Sequence, residues 1–290
     1  MSLLLAHWSL DPGLWFVAVA AVLYVLGAAR APQIPRWRKV SFAAAMVSIV
    51  VALASPIDYW VTRWFWVHML QHELLTMVAA PLAVLGAPIE AARGLLPASL
   101  RRTRVTEIRP WVLPTAIMAW VVFVGDFVAW HLPVLYDAAL RNPQVHHLEH
   151  LLFLATAVWM WWQVIEQPGR PVLGAGIRAI YLAALGITGA LLDLVFITAQ
   201  HPFYHYYASL PRGPHAMSAL SDQLTASGVM DLMTTLAVLI AVAIVFVRGS
   251  GPTPAGSVET QTPQASDLPV VASQRRASRL PSPQTDPAHV

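Results

Sequence analysis

The chain has 290 residues, of which 57% are hydrophobic and only 11% charged, with no cysteine and a formal net charge of +3. A soluble domain carries roughly a quarter of charged residues; here the apolar residues run in long uninterrupted blocks, so a soluble globular protein is a poor reading and a bilayer-embedded one a good one. The missing cysteines exclude disulfides, iron–sulfur clusters and thiolate metal sites, and the basic residues sit in short loops where membrane topology accounts for them, so no nucleic-acid partner is assigned.

About seven spanning helices are predicted, in an all-α polytopic membrane bundle. Asp11-Pro12 supplies a cap and a helix-starting proline for a first run that continues to Ala29. With no charge upstream and no small-residue cleavage site, that run reads as a retained helix and not a signal peptide. The second run, from Val40 to about Ser55, stops at Pro56. It is short for the roughly 20 residues a span needs, and is expected to recruit Trp37 or to cross thinner bilayer. The third, Trp64–Leu85, opens on an aromatic belt, and Pro81 is expected to kink or end it.

Between Glu90 and Arg109 lie five arginines, the pattern of a surface segment and a candidate amphipathic helix. The fourth run is Trp111–Trp130, the fifth His146–Ile165, the sixth Ile177–Ala199 and the seventh about Leu224–Val247. Residues 1–248 therefore read as one transmembrane domain. From Gly249 to the end the composition turns to Pro, Ser, Thr, Gln and Ala without apolar periodicity, which predicts a disordered cytosolic tail.

Lysine and arginine set the orientation. Segments 30–39, 86–110 and 167–178 and the tail hold 15 of the 18, and the opposite loops hold Arg63, Arg141 and Arg212. The positive-inside rule then places the N-terminus outside and the C-terminus inside. In that orientation ten of eleven histidines lie toward the outer face, and only His289 lies inside.

Spacing selects among them. His68 and His72 are four apart, so they project from one helical face, and His146 and His150 repeat the pattern with Glu149 beside them. Two such pairs on facing helices can converge on one ion, and imidazole suits zinc, copper, iron and nickel. His131 lies at the same depth, and Asp126, about a turn earlier, is close enough to support it. Met69 and Met77 would add thioethers, although methionine at helical spacing is usually packing. His201 and His205 sit in an aromatic loop where interfacial anchoring explains them as well as ligation does. The intramembrane Asp193 and Asp231 read equally as functional or as structural groups satisfied by nearby threonines.

The stretches Trp66-Val-His68-Met69-Leu-Gln71-His72, Pro81-Leu-Ala-Val-Leu-Gly86 and, most specifically, His131-Leu-Pro133-Val-Leu-Tyr136-Asp137 followed by His146-His-Leu-Glu149-His150 resemble the CtaG-type cytochrome c oxidase assembly factors of bacteria. Pro202-Phe-Tyr204-His-Tyr206 and Asp222-Gln223 extend the likeness, which covers roughly residues 60–247. The resemblance implies a multi-pass plasma-membrane protein that works with oxidase subunits, with a role in copper supply. Its metal ligands would be His68, His72, His131, His146 and His150 with Glu149, and Met69, Asp126 and Asp222 would support them. Two rivals stand beside this reading: a membrane cytochrome with histidine-ligated haem, and a metal-free structural partner of the oxidase. No nucleophile–base arrangement, phosphate loop or acid/base carboxylate pair stands out, so an enzyme is not predicted.

Overall fold

The computed structural model describes residues 8, 13–97, 99, 112–168 and 173–249. The sequence-based expectations for His7, the Asp11-Pro12 helix start, most of the arginine-rich segment and the tail with His289 fall outside the described residues. Within them every regular element is helical: α1 (Gly13–Ala29), α2 (Arg36–Ala54), α3 (Pro56–Trp60), α4 (Phe65–Glu73), a π-helical segment (Leu74–Ala79), α5 (Ala80–Leu85), α6 (Pro88–Leu95), α7 (Val112–Trp130), α8 (Pro133–Arg141), α9 (Pro143–Val164), α10 (Ala175–Thr198), α11 (His205–Ser209) and α12 (Ala219–Gly249).

The chain is a membrane protein. Four helices are long and apolar enough to cross a bilayer, Arg36–Trp60, Val112–Trp130, Ala175–Thr198 and Ala219–Val247. Phe65–Leu85 with Pro88–Leu95, bent by 50°, makes a fifth if counted as one span. The other two expected spans are a 17-residue apolar helix, α1, and the 22-residue α9, whose first half carries three histidines and Glu149. The second run is not short after all. Ser55 caps a new turn by accepting a hydrogen bond from the Ile57 amide (3.2 Å), with Pro56 in the first helical position, so helical chain continues to Trp60.

The third run departs most from expectation. Pro81 neither ends nor sharply kinks it, because the π-helical turn just before the proline widens the backbone. A proline ring collides with the carbonyl four residues back in a regular α-helix, and a π turn opens that spacing. The carbonyls loosened there find side-chain donors on the packed helices. Ser48 Oγ donates to the Leu74 carbonyl (3.1 Å) and Trp161 Nε1 to the Thr76 carbonyl (2.9 Å). The actual break lies beyond Gly86, at Ala87, whose φ of 53° is left-handed.

The end of α5 is buried, and its terminal carbonyls need partners. Ser41 Oγ donates to Leu82 O, Gln167 Nε2 to Val84 O, Arg38 Nη1 to Leu85 O and Tyr24 Oη to Gly86 O, at 2.8–3.0 Å. Helices α1 and α2 and the chain after α9 are thereby tied to one break. α6 then turns back onto α1 so closely that the backbones touch: a Cβ on Gly27 would overlap the Ala91 carbonyl, and one on Gly94 would overlap the Gly27 carbonyl. Small residues permit this approach between membrane helices. Gly27→Ala is accordingly expected to cost about 1–3 kcal/mol through backbone overlap, read as a lower thermal midpoint of the purified protein.

Candidate metal centre

The starts of α4, α9 and α12, the ends of α7 and α10, and the short α8 and α11 meet at one end of the bundle. α9 begins at Pro143, with the Asn142 side chain accepting from the Gln144 amide at 2.9 Å, which puts His146 in the first turn and His150 one turn further on. α4 begins at Phe65 and presents His68 and His72 to it.

One nitrogen from each of His68, His72, His146 and His150 falls within 4.8 Å of the other three. His68 Nε2 and His146 Nε2 face each other at 3.1 Å. Glu149 stands behind them, its oxygens 3.9 Å from His68 Nε2 and 3.8 Å from His72 Nε2. Two imidazole nitrogens bound to one ion at roughly 2.0–2.1 Å stand at most about 4.2 Å apart. The quartet therefore needs side-chain adjustments of a few tenths of an ångström to close on a single cation.

The site is sealed. Glu149 and His68 are fully buried, and His72 and His150 nearly so. Yet both nitrogens of His72, both oxygens of Glu149 and Nδ1 of His150 lack a protein hydrogen-bond partner. Buried polar atoms are nearly always hydrogen-bonded, and an unpaired buried carboxylate is the costliest case. Five unpartnered buried atoms, at most four of them lone-pair acceptors because neutral His72 keeps one N–H, line this site and could serve as donors to a transition-metal ion. On this observation the residues fit a metal.

Neighbouring groups orient the imidazoles. Gln71 donates through Nε2 to the Ala52 carbonyl (2.8 Å) and to Asp58 Oδ1 (3.2 Å), so its Oε1 must accept from His150 Nε2–H (3.1 Å), leaving His150 Nδ1 bare. His68 Nδ1 lies 2.7 Å from the Tyr136 hydroxyl and 3.2 Å from that of Tyr207, which itself donates to the Val61 carbonyl. Burial first, and then the adjacent Tyr207 and Tyr204 phenols, push the Tyr136 hydroxyl up, so it stays protonated. A protonated phenol can either donate to Nδ1 or accept from Nδ1–H while donating to Tyr207, and the second arrangement frees the His68 Nε2 lone pair for an ion. Such partners set the tautomer of a ligating imidazole.

The other expected site residues lie differently. His131 stands outside the quartet: Nδ1 donates to the Phe127 carbonyl (2.7 Å), the ring packs on Phe127, and Nε2 is buried without a partner. Burial pushes His131 down to about 4, so it is a neutral imidazole in the physiological range. Met69 packs among Phe65, Tyr136 and Tyr204, away from the ligand atoms. Asp126 accepts from Thr156 Oγ1 at 3.0 Å and ties α7 to α9. Asp222 is no ligand. Its two oxygens accept from the Phe65 and Trp66 amides, both at 3.1 Å, and one also meets Arg212 at 3.0 Å. It therefore caps α4 from α12 and fixes the depth of His68 and His72.

Gln71, Tyr136 and Tyr207 were not singled out from the sequence. Gln71 was legible as an amide between the paired histidines of an apolar run. In the aromatic loop the exposed His201 and His205 drew attention, whereas it is Tyr204 and Tyr207 that turn inward.

Comparison with known proteins matches residues 22–250 to the model of the cytochrome c oxidase caa3 assembly factor family, Caa3_CtaG. The chain belongs to that family. Among curated proteins, an uncharacterized protein of Mycobacterium bovis and another of Mycobacterium tuberculosis are each 24% identical over 239 residues, covering 77% of this chain and 36% of the relative. One of Mycobacterium leprae is 24% identical over 200 residues, covering 64% of this chain and 30% of the relative. The chain thus spans about a third of the length of these relatives. No solved structure matches.

Asp222→Ala removes the buried acceptor of two amides and the partner of Arg212, and is expected to cost about 2–4 kcal/mol. Asp222→Asn, which keeps one acceptor oxygen, should lose less. Thermal unfolding of the two purified variants measures the difference.

Proposed function

We propose that this member of the caa3 assembly factor family serves a haem–copper oxidase by holding one copper ion in the His68, His72, His146 and His150 quartet and supplying it to an oxidase subunit. Glu149 is the fifth ligand or the counter-charge of the bound cation, and His131, with its bare Nε2, is the relay toward the recipient. Seven spans with the N-terminus outside, as the basic-loop bias requires, put the quartet at the extracytoplasmic face of a bacterial plasma membrane. The observation that carries the reading is the set of orphaned buried lone pairs on His72, His150 and Glu149.

A bound ion would supply the positive charge that Glu149 lacks. The residues of the chain do the rest: α4 and α9 hold the imidazoles face to face, Gln71 and Tyr136 orient two of them, and the aromatic shell excludes water. Nitrogen and carboxylate donors without thiolate suit a carrier that must also release its ion. The haem alternative meets a geometric obstacle. The rings of His68 and His72, His146 and His150, and His68 and His146 lie against one another at centroid separations of 4.1–5.0 Å, which leaves no slot for a porphyrin between them. A metal-free structural partner would leave the unpartnered buried atoms of His72, His150 and Glu149 without a use.

Metal analysis of the purified protein should find about one copper per chain. His68→Ala and His150→Ala should each lower that stoichiometry sharply, and retention of full copper by both variants sinks the proposal. Because ligation needs neutral imidazole, affinity should fall as pH drops far enough to protonate these enclosed imidazoles, below the ordinary imidazole range of about 6–7. Equilibrium dialysis against a copper buffer at stepped pH reads that slope.

A further inference from the structure

Three carboxylates lie within the membrane-spanning part of this bundle beside the metal centre, and they are treated differently by the fold. Glu73, on α4, is buried and accepts from Thr234 Oγ1 at 3.4 Å. Asp193, on α10, is buried and accepts from Ser227 Oγ at 3.1 Å. Asp231, on α12, points outward. It is exposed, and its partner is Thr235 Oγ1 one turn along the same helix, at the long distance of 3.4 Å.

Depth makes that exposure costly. Asp222 marks the level at which α4 begins, since its carboxylate caps Phe65 and Trp66. Asp231 is nine residues further along α12, about 13 Å at 1.5 Å per residue, which is near the middle of a ~30 Å hydrocarbon layer. The side chains exposed around it are those a lipid chain accepts: Leu224, Leu232, Leu236 and Leu239, each at least 41% exposed. A carboxylate on such a face is expensive, and intramembrane charges are normally turned inward or paired.

We infer that the Gly228–Asp231–Thr235 face of α12 is a docking surface for a transmembrane helix of another polypeptide, one that carries a lysine or arginine at mid-bilayer depth to pair with Asp231. Gly228, exposed with open space where a Cβ would project, lets that helix come close. A second copy of this chain does not fit. Among the described residues the lysines and arginines lie in loops or within a few residues of a helix terminus, so that part of a copy has no cation to offer at that depth. The inference rests on α12 crossing a bilayer and is independent of copper, so its failure leaves the proposed metal site standing.

A benzophenone side chain placed at position 232 and irradiated in native membranes tests it. The expected adduct, read by mass spectrometry, is with a transmembrane peptide of a different protein that contains lysine or arginine within its apolar stretch. Asp231→Leu and Asp231→Asn should each reduce the adduct about tenfold, the loss expected for one charge-paired contact. In the purified single chain, Asp231→Leu should leave the thermal midpoint unchanged or higher, because it removes an exposed charge from an apolar face. Adducts with lipid alone, with a second copy of the chain, or in undiminished yield from both Asp231 variants overturn the inference. So does a lowered thermal midpoint in both, which would assign Asp231 a role inside its own bundle.

Discussion

A carboxylate with no hydrogen-bond partner, closed off from water among four imidazoles, is the constraint around which this end of the bundle is arranged. Glu149 is fully buried and its nearest cationic candidates are histidine nitrogens 3.8–3.9 Å away. Removing an ion from water costs several kcal/mol unless something of opposite charge replaces the hydration. The surrounding shell only raises that cost: Phe153 packs on His72, and Tyr136 on His68. A fold that encloses such a group beside two imidazole nitrogens is compatible with the cation proposed above.

The same economy of polar groups governs the helix that carries half of the site. The run from Phe65 to Leu85 is neither straight nor regular, and every departure is met by a side chain from a neighbour. Asp222 takes up its first free amides. Ser48 and Trp161 satisfy the π-helical carbonyls, and Ser41, Gln167, Arg38 and Tyr24 satisfy the buried end. π turns are frequent next to functional sites, and here the turn begins directly after the His68–Glu73 stretch. The widened backbone lets Pro81 pass without breaking the span, and so keeps the histidine pair rigidly joined to the far end of the bundle.

How much of this could be read beforehand follows from which interactions are local. Helix positions were legible from apolar run length, whereas Pro56 read as a stop and the caps Ser55-Pro56 and Asn142-Pro143 emerged only in the structure. The two histidine pairs came from four-residue spacing, which fixes a shared face without further information. What was not legible depends on partners distant in sequence. Asp222 read as a candidate support of the metal ligands in the linear chain, but 157 residues separate it from the Phe65 amide that it caps. Tyr207 was not singled out in its aromatic loop, because only the fold carries it to His68, 139 residues away. The left-handed break at Ala87 had no glycine at that position to announce it. It is held by α1 and α2 packing from outside, and no local propensity predicts it.

Glu149 and Asp231 show how one chemical group acquires two meanings from its surroundings. Both are carboxylates in the apolar part of a membrane protein, and among the described residues neither meets a lysine or arginine. Glu149 faces inward toward His68 and His72, and the complement proposed for it is an ion small enough to enter an enclosed site. Asp231 faces outward between leucines, with one threonine for company, so its complement must arrive on a surface as large as a helix. Burial and neighbours separate the two cases: enclosure by lone pairs selects a metal, and exposure on an apolar face selects a partner chain. The proposed cation site and the proposed docking face thus differ in enclosure, and the complement inferred for each carboxylate follows from what surrounds it.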